Sequence, residues 1–226
     1  MENRQVKSKE RVRDHGEVFT SEREVNAMLD LVKEETENIE STFLEPACGD
    51  GNFLSEILKR KLGIVFNRYK KQLDSYEMYS IIAVTSIYGV DILQDNVESC
   101  IERLYNIWNE DYSKVMRNNS NDKVRETCKY ILKKNILCGD ALTMLKNDGT
   151  PIVFAEWKFA TGTMIKRRDY ELARILETEQ TVNTEEYNLF TFDDNINDSV
   201  RESLDVPIKE YPLTDYREVQ KYEWCY

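Results

Sequence analysis

A short apolar run, Ser41-Thr42-Phe43-Leu44, leads straight into Glu45-Pro46-Ala47-Cys48-Gly49-Asp50-Gly51-Asn52, and an amphipathic stretch from Phe53 to Lys59 follows at once. No other feature restricts the fold as much. A strand, a glycine turn and a helix start are stacked within about twenty residues. Gly49 and Gly51 carry no Cβ, so a ligand can lie against their backbone and either residue can take a positive φ. The helix start behind them offers unpaired N–H groups and a partial positive charge. A carboxylate or phosphate suits such a place. Taken alone, the turn is equally well read as a tight strand-to-helix connection that holds nothing.

The rest of the chain alternates in the same way. Ser21-Glu22-Arg23-Glu24 has the form of a capping box, and the stripe Val25, Met28, Leu29, Val32 predicts a helix to about Glu37 with Met28 in the core. A strand is expected over Thr42 to Leu44, then helices from Asn52 to about Leu62 and from Tyr69 to Thr85. Strand Ile87 to Val90 precedes a helix from Gln94 to about Val115, striped by Val97, Ile101, Leu104, Tyr105 and Trp108. A loop over Arg117 to Asp122 leads to a helix from Lys123 to Leu132, then strand Ile136 to Cys138. The turn signal Asn147-Asp148-Gly149 sits before a strand over Ile152 to Ala155 and a helix from Arg168 to Glu177. Strands separated by helices imply an α/β fold with a parallel, helix-covered sheet.

The expected organisation is an N-terminal arm over residues 1–20, a body over 21–177 and an acidic tail over 178–226. The tail's first part, Thr178 to Val206, shows no sustained period apart from a short strand candidate, Leu189-Phe190-Thr191-Phe192. Its last part, from Pro207, carries tyrosines and a tryptophan, suited to docking on the body or on a partner. The net charge of −11 is concentrated here. From Leu176 onward thirteen acids face four bases. Affinity for nucleic acid rests on phosphate contacts, so a chain of this charge is expected to grip DNA poorly by itself. The cluster Lys166-Arg167-Arg168 reads as a solvated helix lead-in or, less simply, as a phosphate contact.

Five cysteines without a C-x-x-C pair, and a single histidine, His15, lack the spacing of a zinc site, so no metal is expected. The odd count and the charged start, Met1 to Arg13, point to reduced thiols, a cytoplasmic location and no secretory leader. No run of eighteen apolar residues exists, so no membrane span is expected. Cys48 has no histidine near it in sequence and reads as a small buried side chain.

The run Glu45 to Leu54 resembles motif I of the S-adenosylmethionine-dependent N6-adenine DNA methyltransferases, D/N/E-P-A-C-G-x-G-x-F/L. Other segments follow the order of the restriction-modification, modification-subunit-like members. Gly16-Glu17-Val18-Phe19-Thr20-Ser21 is similar to motif X, with Ser21 in place of a proline. Ile87-Tyr88-Gly89-Val90-Asp91-Ile92 resembles motif II, and Asn135 to Leu142 resembles motif III. The resemblance implies a Rossmann-like methyltransferase fold, helices on both faces, shortened because little chain remains for the later strands and a target-recognition region. It implies S-adenosyl-L-methionine as cofactor, held by Phe19, Thr20, Glu45, Pro46, Ala47, Cys48, Gly49, Gly51, Phe53, Asp91, Ile92, Asp140, Ala141 and Leu142. In that reading Asp91 accepts the ribose hydroxyls, Asp140 meets the adenine amino group, and Ile92 or Leu142 sandwiches the ring. Each acid alone also suits a helix or turn cap.

One family motif is missing. The target-base tetrapeptide N/D/S-P-P-Y/F/W needs adjacent prolines, and the four here, Pro46, Pro151, Pro207 and Pro212, are all isolated. At the expected place stands Glu156-Trp157-Lys158-Phe159. Either Glu156 is a diverged acceptor and Phe159 a stacking platform for a flipped base, or the site is retired and the aromatics pack. Three functions remain open: a DNA adenine methyltransferase-like enzyme, a non-catalytic binding or regulatory subunit completing a larger assembly with a partner subunit, DNA or further copies, or a methyltransferase for a non-DNA substrate.

Overall fold

The computed structural model describes residues 8–15, 18–176 and 206–224. Three short strands, β1 (Phe43–Glu45), β2 (Ile87–Asp91) and β3 (Ile136–Cys138), form a parallel sheet in the order β1-β2-β3. Phe43 pairs with Ile87, and Gly89 pairs with both Glu45 and Ile136. Strand order follows chain order, so right-handed crossovers bring the intervening helices to one face. Those helices are α4 (Asn52–Tyr69), α5 (Leu73–Thr85), α6 (Gln94–Met116) and α7 (Asp122–Asn135). Before them come α1 (Lys9–His15), α2 (Glu22–Asp30) and α3 (Lys33–Glu37). The fold is α/β with a small parallel sheet, and no helix among the described residues is long and apolar enough to cross a membrane.

The helix α4 shows why these residues take this form. Leu54, Ile57, Leu58, Lys61, Leu62 and Val65 recur at three- and four-residue spacing and are all buried. On α6, Val97, Leu104 and Trp108 are buried along the expected stripe, while Ile101 and Tyr105 are half-buried. The capping box is present: Ser21 and Glu24 exchange side-chain and backbone hydrogen bonds at the start of α2. The first helical stretch is nevertheless interrupted at Leu31–Val32, and Met28, expected in the core, is 54% exposed. Val25 and Leu29 are the residues that α2 buries, a narrower apolar face than the stripe suggested, and Arg60 of α4 adds hydrogen bonds to Asn26 and Asp30.

Lys61 is fully buried among these apolar neighbours. Its ammonium donates to Ile39 O (3.2 Å), Ser86 Oγ (2.6 Å) and Ser41 O, sewing the approach to β1 to the approach to β2. Burial pulls its pKa down to about 7 from 10.5. Between those values the unfolded chain holds more protons than the folded one, so stability rises with pH. Denaturant unfolding of the wild type is expected to show this rise from roughly pH 7 to 9, ahead of tyrosine ionisation. Lys61→Met should flatten it and cost about 1 kcal/mol at neutral pH through the unpaired oxygens. An unchanged slope in the variant would assign the pH dependence elsewhere.

Beyond β3 the architecture departs from expectation. β4 (Val153–Phe159) and β5 (Met164–Glu171) form an antiparallel hairpin, joined on the far side of β5 by β6 (Lys209–Glu210) and β7 (Thr214–Asp215). The expected helix from Arg168 to Glu177 is therefore strand over its first four residues, 168–171, and helical only over 172–176, where this stretch of described chain ends. The reason lies in Arg167 and Asp169. Both point inward and form a bidentate pair (2.7 Å twice), with Tyr130 Oη accepting from the same guanidinium at 2.6 Å. The guanidinium also lies 4.3 Å from the Tyr211 ring centroid. Charged residues thus occupy the inward positions that apolar alternation would otherwise have marked.

The sheet face carrying Leu44, Tyr88, Val90 and Leu137 is covered by Ile152, Phe154 and Leu172. Tyr88 meets Phe154 edge-on at 5.3 Å and donates to Ala155 O at 2.8 Å. Residues 206–224, placed in the acidic tail by sequence, are part of the body: a 3₁₀ segment, Tyr216–Trp224, lies on α7 with Tyr216, Val219 and Tyr222 buried. The Leu189–Phe192 strand candidate lies outside the described residues.

Candidate functional site

Three chain segments meet at the carboxyl edge of the parallel sheet. The Cys48 N–H donates to Val90 O (2.9 Å), carrying β1's exit onto the end of β2. The Gly49 N–H donates to Asp91 Oδ2 (2.9 Å), and the Gly139 N–H to Asp91 O (3.0 Å). Motif-like turn, acid and third-strand loop are thereby held within bonding distance. Gly49 and Gly51 both take positive φ, +52° and +89°. At Gly51 the chain turns into α4, and a Cβ there would stand 2.7 Å from Cys100 Sγ. Bare backbone is needed at this point for packing, whatever else the turn does.

Asp91 is buried and already well supplied with donors. Besides Gly49 on Oδ2, its Oδ1 accepts from the Leu93 N–H (2.9 Å) and from Asn96 Nδ2 (3.1 Å). A carboxylate offers about four acceptor positions, so about one remains, on Oδ2. A two-pronged grasp of ribose, as the resemblance implied, has no room without displacing Gly49. One hydroxyl can be taken.

The other expected cofactor residues fall around this centre unevenly. Phe19 lies on Gly49, its Cε1 2.9 Å from where a Cβ would stand. Thr20 O accepts from Asn52 Nδ2 (3.0 Å), and Arg103 donates to Asn52 Oδ1 (2.5 Å) and Asp50 Oδ2 (2.7 Å). Pro46 and Ala47 are exposed on the turn, and Phe53 is half-buried at the start of α4. Burial raises the pKa of Glu45, partly offset by a hydrogen bond from the Ala47 backbone. Cys48 is buried, its thiol raised first by a hydrogen bond with Cys100 and then by burial. That makes it a packing residue and not a nucleophile. Asp140 uses Oδ1 to receive the Leu142 N–H (2.8 Å), a local turn, beside half-buried Ala141. Ile92 and Leu142, at 49% and 92% exposed, are large apolar side chains left open at this edge.

The candidate target-base pair is not assembled. Ile152 and Phe154 sit by Val90, Ala155 by Tyr88, and the Trp157 indole donates to Asn135 Oδ1 (2.8 Å). Asn135 in turn donates to Thr85 O (3.2 Å) and Ile87 O (3.1 Å), at the amino edge of the sheet. β4 therefore runs from the carboxyl edge toward the amino edge, carrying Glu156 and Phe159 away from Asp91. Within a continuous strand the two also point to opposite faces. Glu156 lies 3.9 Å from Arg168, and Phe159 packs near Tyr216 at 6.1 Å between centroids. Without adjacent prolines the tetrapeptide stays extended and pairs with β5 in place of forming a loop.

No match was found among protein-family models, curated proteins or solved structures.

Two residues that motif reading did not single out shape the site. Asn96 and Arg103, both on α6, hold the acid and the turn respectively. Asn96 stands five positions after Asp91, on the first turn of the helix that follows the acid, and that spacing was a usable signal. Arg103 had none, since only the fold brings it to Asp50.

Proposed function

We propose that this chain binds S-adenosyl-L-methionine at the carboxyl edge of its parallel sheet and serves as the cofactor-binding part of a DNA adenine methyltransferase assembly of the restriction-modification kind. The observation that carries the reading is the Gly49 N–H to Asp91 carboxylate hydrogen bond, which joins the two most specific motif-like segments at one point. The Rossmann-like character of the sheet belongs to the same proposal. The nucleoside lies between Ile92 and Leu142, with one ribose hydroxyl on Asp91 and the methionine end toward Phe19 and Thr20. Methyl transfer to an amino nitrogen needs an acceptor and a stacking platform facing the sulfonium. Glu156 and Phe159 do not supply them, so a partner subunit does.

The test is calorimetry with S-adenosylmethionine, followed by tritiated-methyl transfer to unmethylated DNA. Micromolar to millimolar binding without transfer by this chain alone is the expected pair of results. No heat at millimolar ligand would remove the cofactor. Transfer that disappears in Glu156→Ala would return the target-base role to β4.

A second reading has its own support. Three protein donors on Asp91 and the Phe19 ring on Gly49 suit a ligand-free clasp in a non-catalytic subunit. Calorimetry separates the two.

A further inference from the structure

Asn96 is 1% exposed and uses both ends of its amide. Its Nδ2 donates to Asp91 Oδ1 (3.1 Å), and its Oδ1 accepts from Arg11 Nη2 (3.1 Å). Arg11 belongs to α1, more than eighty positions upstream, and the same guanidinium grips Asp95 with Nη1 on Oδ2 (2.5 Å) and Nη2 on Oδ1 (3.1 Å). A buried amide thus bridges the docked N-terminal helix and the acid at the centre of the candidate site. An amide in this position has no rotational slack: flipping it would set its NH₂ against a guanidinium and its oxygen against a carboxylate. Its orientation, and with it the direction of Asp91 Oδ1, is fixed from both sides.

We infer that Asn96 is a positioning residue, and that through it the docking of α1 by Arg11 and the binding of a nucleoside at Asp91 are coupled. The inference rests on the cofactor reading above and adds a regulatory input to it. Asn96 holds Oδ1, which leaves Oδ2 as the oxygen that meets a sugar hydroxyl. When Arg11 leaves, the amide loses its hold on that side, and of the three donors that orient the carboxylate the Asn96 amide is loosened while the Gly49 and Leu93 N–H groups remain. Coupling is reciprocal, so ligand on Asp91 must tighten α1.

The probe is S-adenosylhomocysteine, with affinity read by calorimetry and α1 read by amide hydrogen exchange over residues 9–15. In the wild type the ligand is expected to slow exchange in that segment. Arg11→Met removes the grip on both side chains and should weaken binding about tenfold. Asn96→Asp keeps an acceptor for Arg11 but places a carboxylate against Asp91. It should leave α1 docked, weaken binding by a similar factor, and abolish the ligand-induced slowing. A role confined to stability would instead lower the melting temperature and leave the exchange response intact. If the wild type binds and both variants bind within about twofold of it, or the ligand leaves residues 9–15 unaffected, the coupling is wrong and the cofactor reading stands. If the wild type binds nothing, both fall.

Discussion

Glu77→Ala is expected to destabilise the protein by about 3 kcal/mol, with residues 206–224 becoming the first site of proteolysis. Glu77 is 4% exposed. It accepts from Tyr112 Oη (2.6 Å), Tyr216 Oη (2.8 Å) and Arg217 Nε (2.9 Å). One carboxylate therefore binds α5 to α6 and to the 3₁₀ segment. Removing it leaves two buried hydroxyls without this acceptor and takes from half-buried Arg217 the nearer of its two carboxylates, Asp215 lying at 3.6 Å. Arg217 is 26% exposed and recovers some hydration, which holds the expected loss at the low end of the usual range for broken buried pairs. Tyr216→Phe removes a single hydrogen bond and should cost about 1 kcal/mol. Urea titrations of the two variants settle the matter. Equal losses would mean that apolar packing of Tyr216 and Val219 holds the segment, and the carboxylate does not.

Gly51→Val is expected to cost about 3 kcal/mol and to eliminate S-adenosylmethionine binding. Two effects add. A φ of +89° is left-handed territory, costing an L-residue roughly 1–2 kcal/mol. The new Cβ would also stand 2.7 Å from Cys100 Sγ, on a fully buried side chain, and 3.6 Å from the Cys100 Cα. Gly149 provides the control. Its φ is +79°, yet nothing lies within 4 Å of its missing Cβ. Gly149→Ala should therefore show the backbone penalty alone, about 1 kcal/mol. A Gly51 variant no worse than the Gly149 one would show that the turn has room, and the argument for close approach would fail.

What sequence made legible follows from what the pattern rules can register. Helices whose buried faces are apolar were found nearly to their ends: Gln94–Met116 against an expected Val115, and Asp122–Asn135 one residue longer at its start and three at its end than expected. α4 runs on to Tyr69, past Gly63, because that glycine faces open space and nothing asks the helix to stop there. β5 escaped notice because Arg167 and Asp169 fill its inward positions, so a period of two was written in charge and not in hydrophobicity. The glycine turn and Asp91 were both visible and fall together. That the acid spends most of its acceptors on the protein was not visible, since two of the donors are backbone N–H groups. The fate of Glu156 and Phe159 depended on the direction of β4, which follows from the Trp157–Asn135 contact and from no local signal.

Arg217 lies 140 positions downstream of the carboxylate that it neutralises. During synthesis Glu77 is made early and its cationic partner arrives only after most of the body has emerged. Until then the Tyr112 hydroxyl is the one of Glu77's three donors already made, and a carboxylate without its cation is costly to bury. The layer of α5, α6 and α7 is therefore expected to close last around residues 206–224, and a chain cut short of them to expose it.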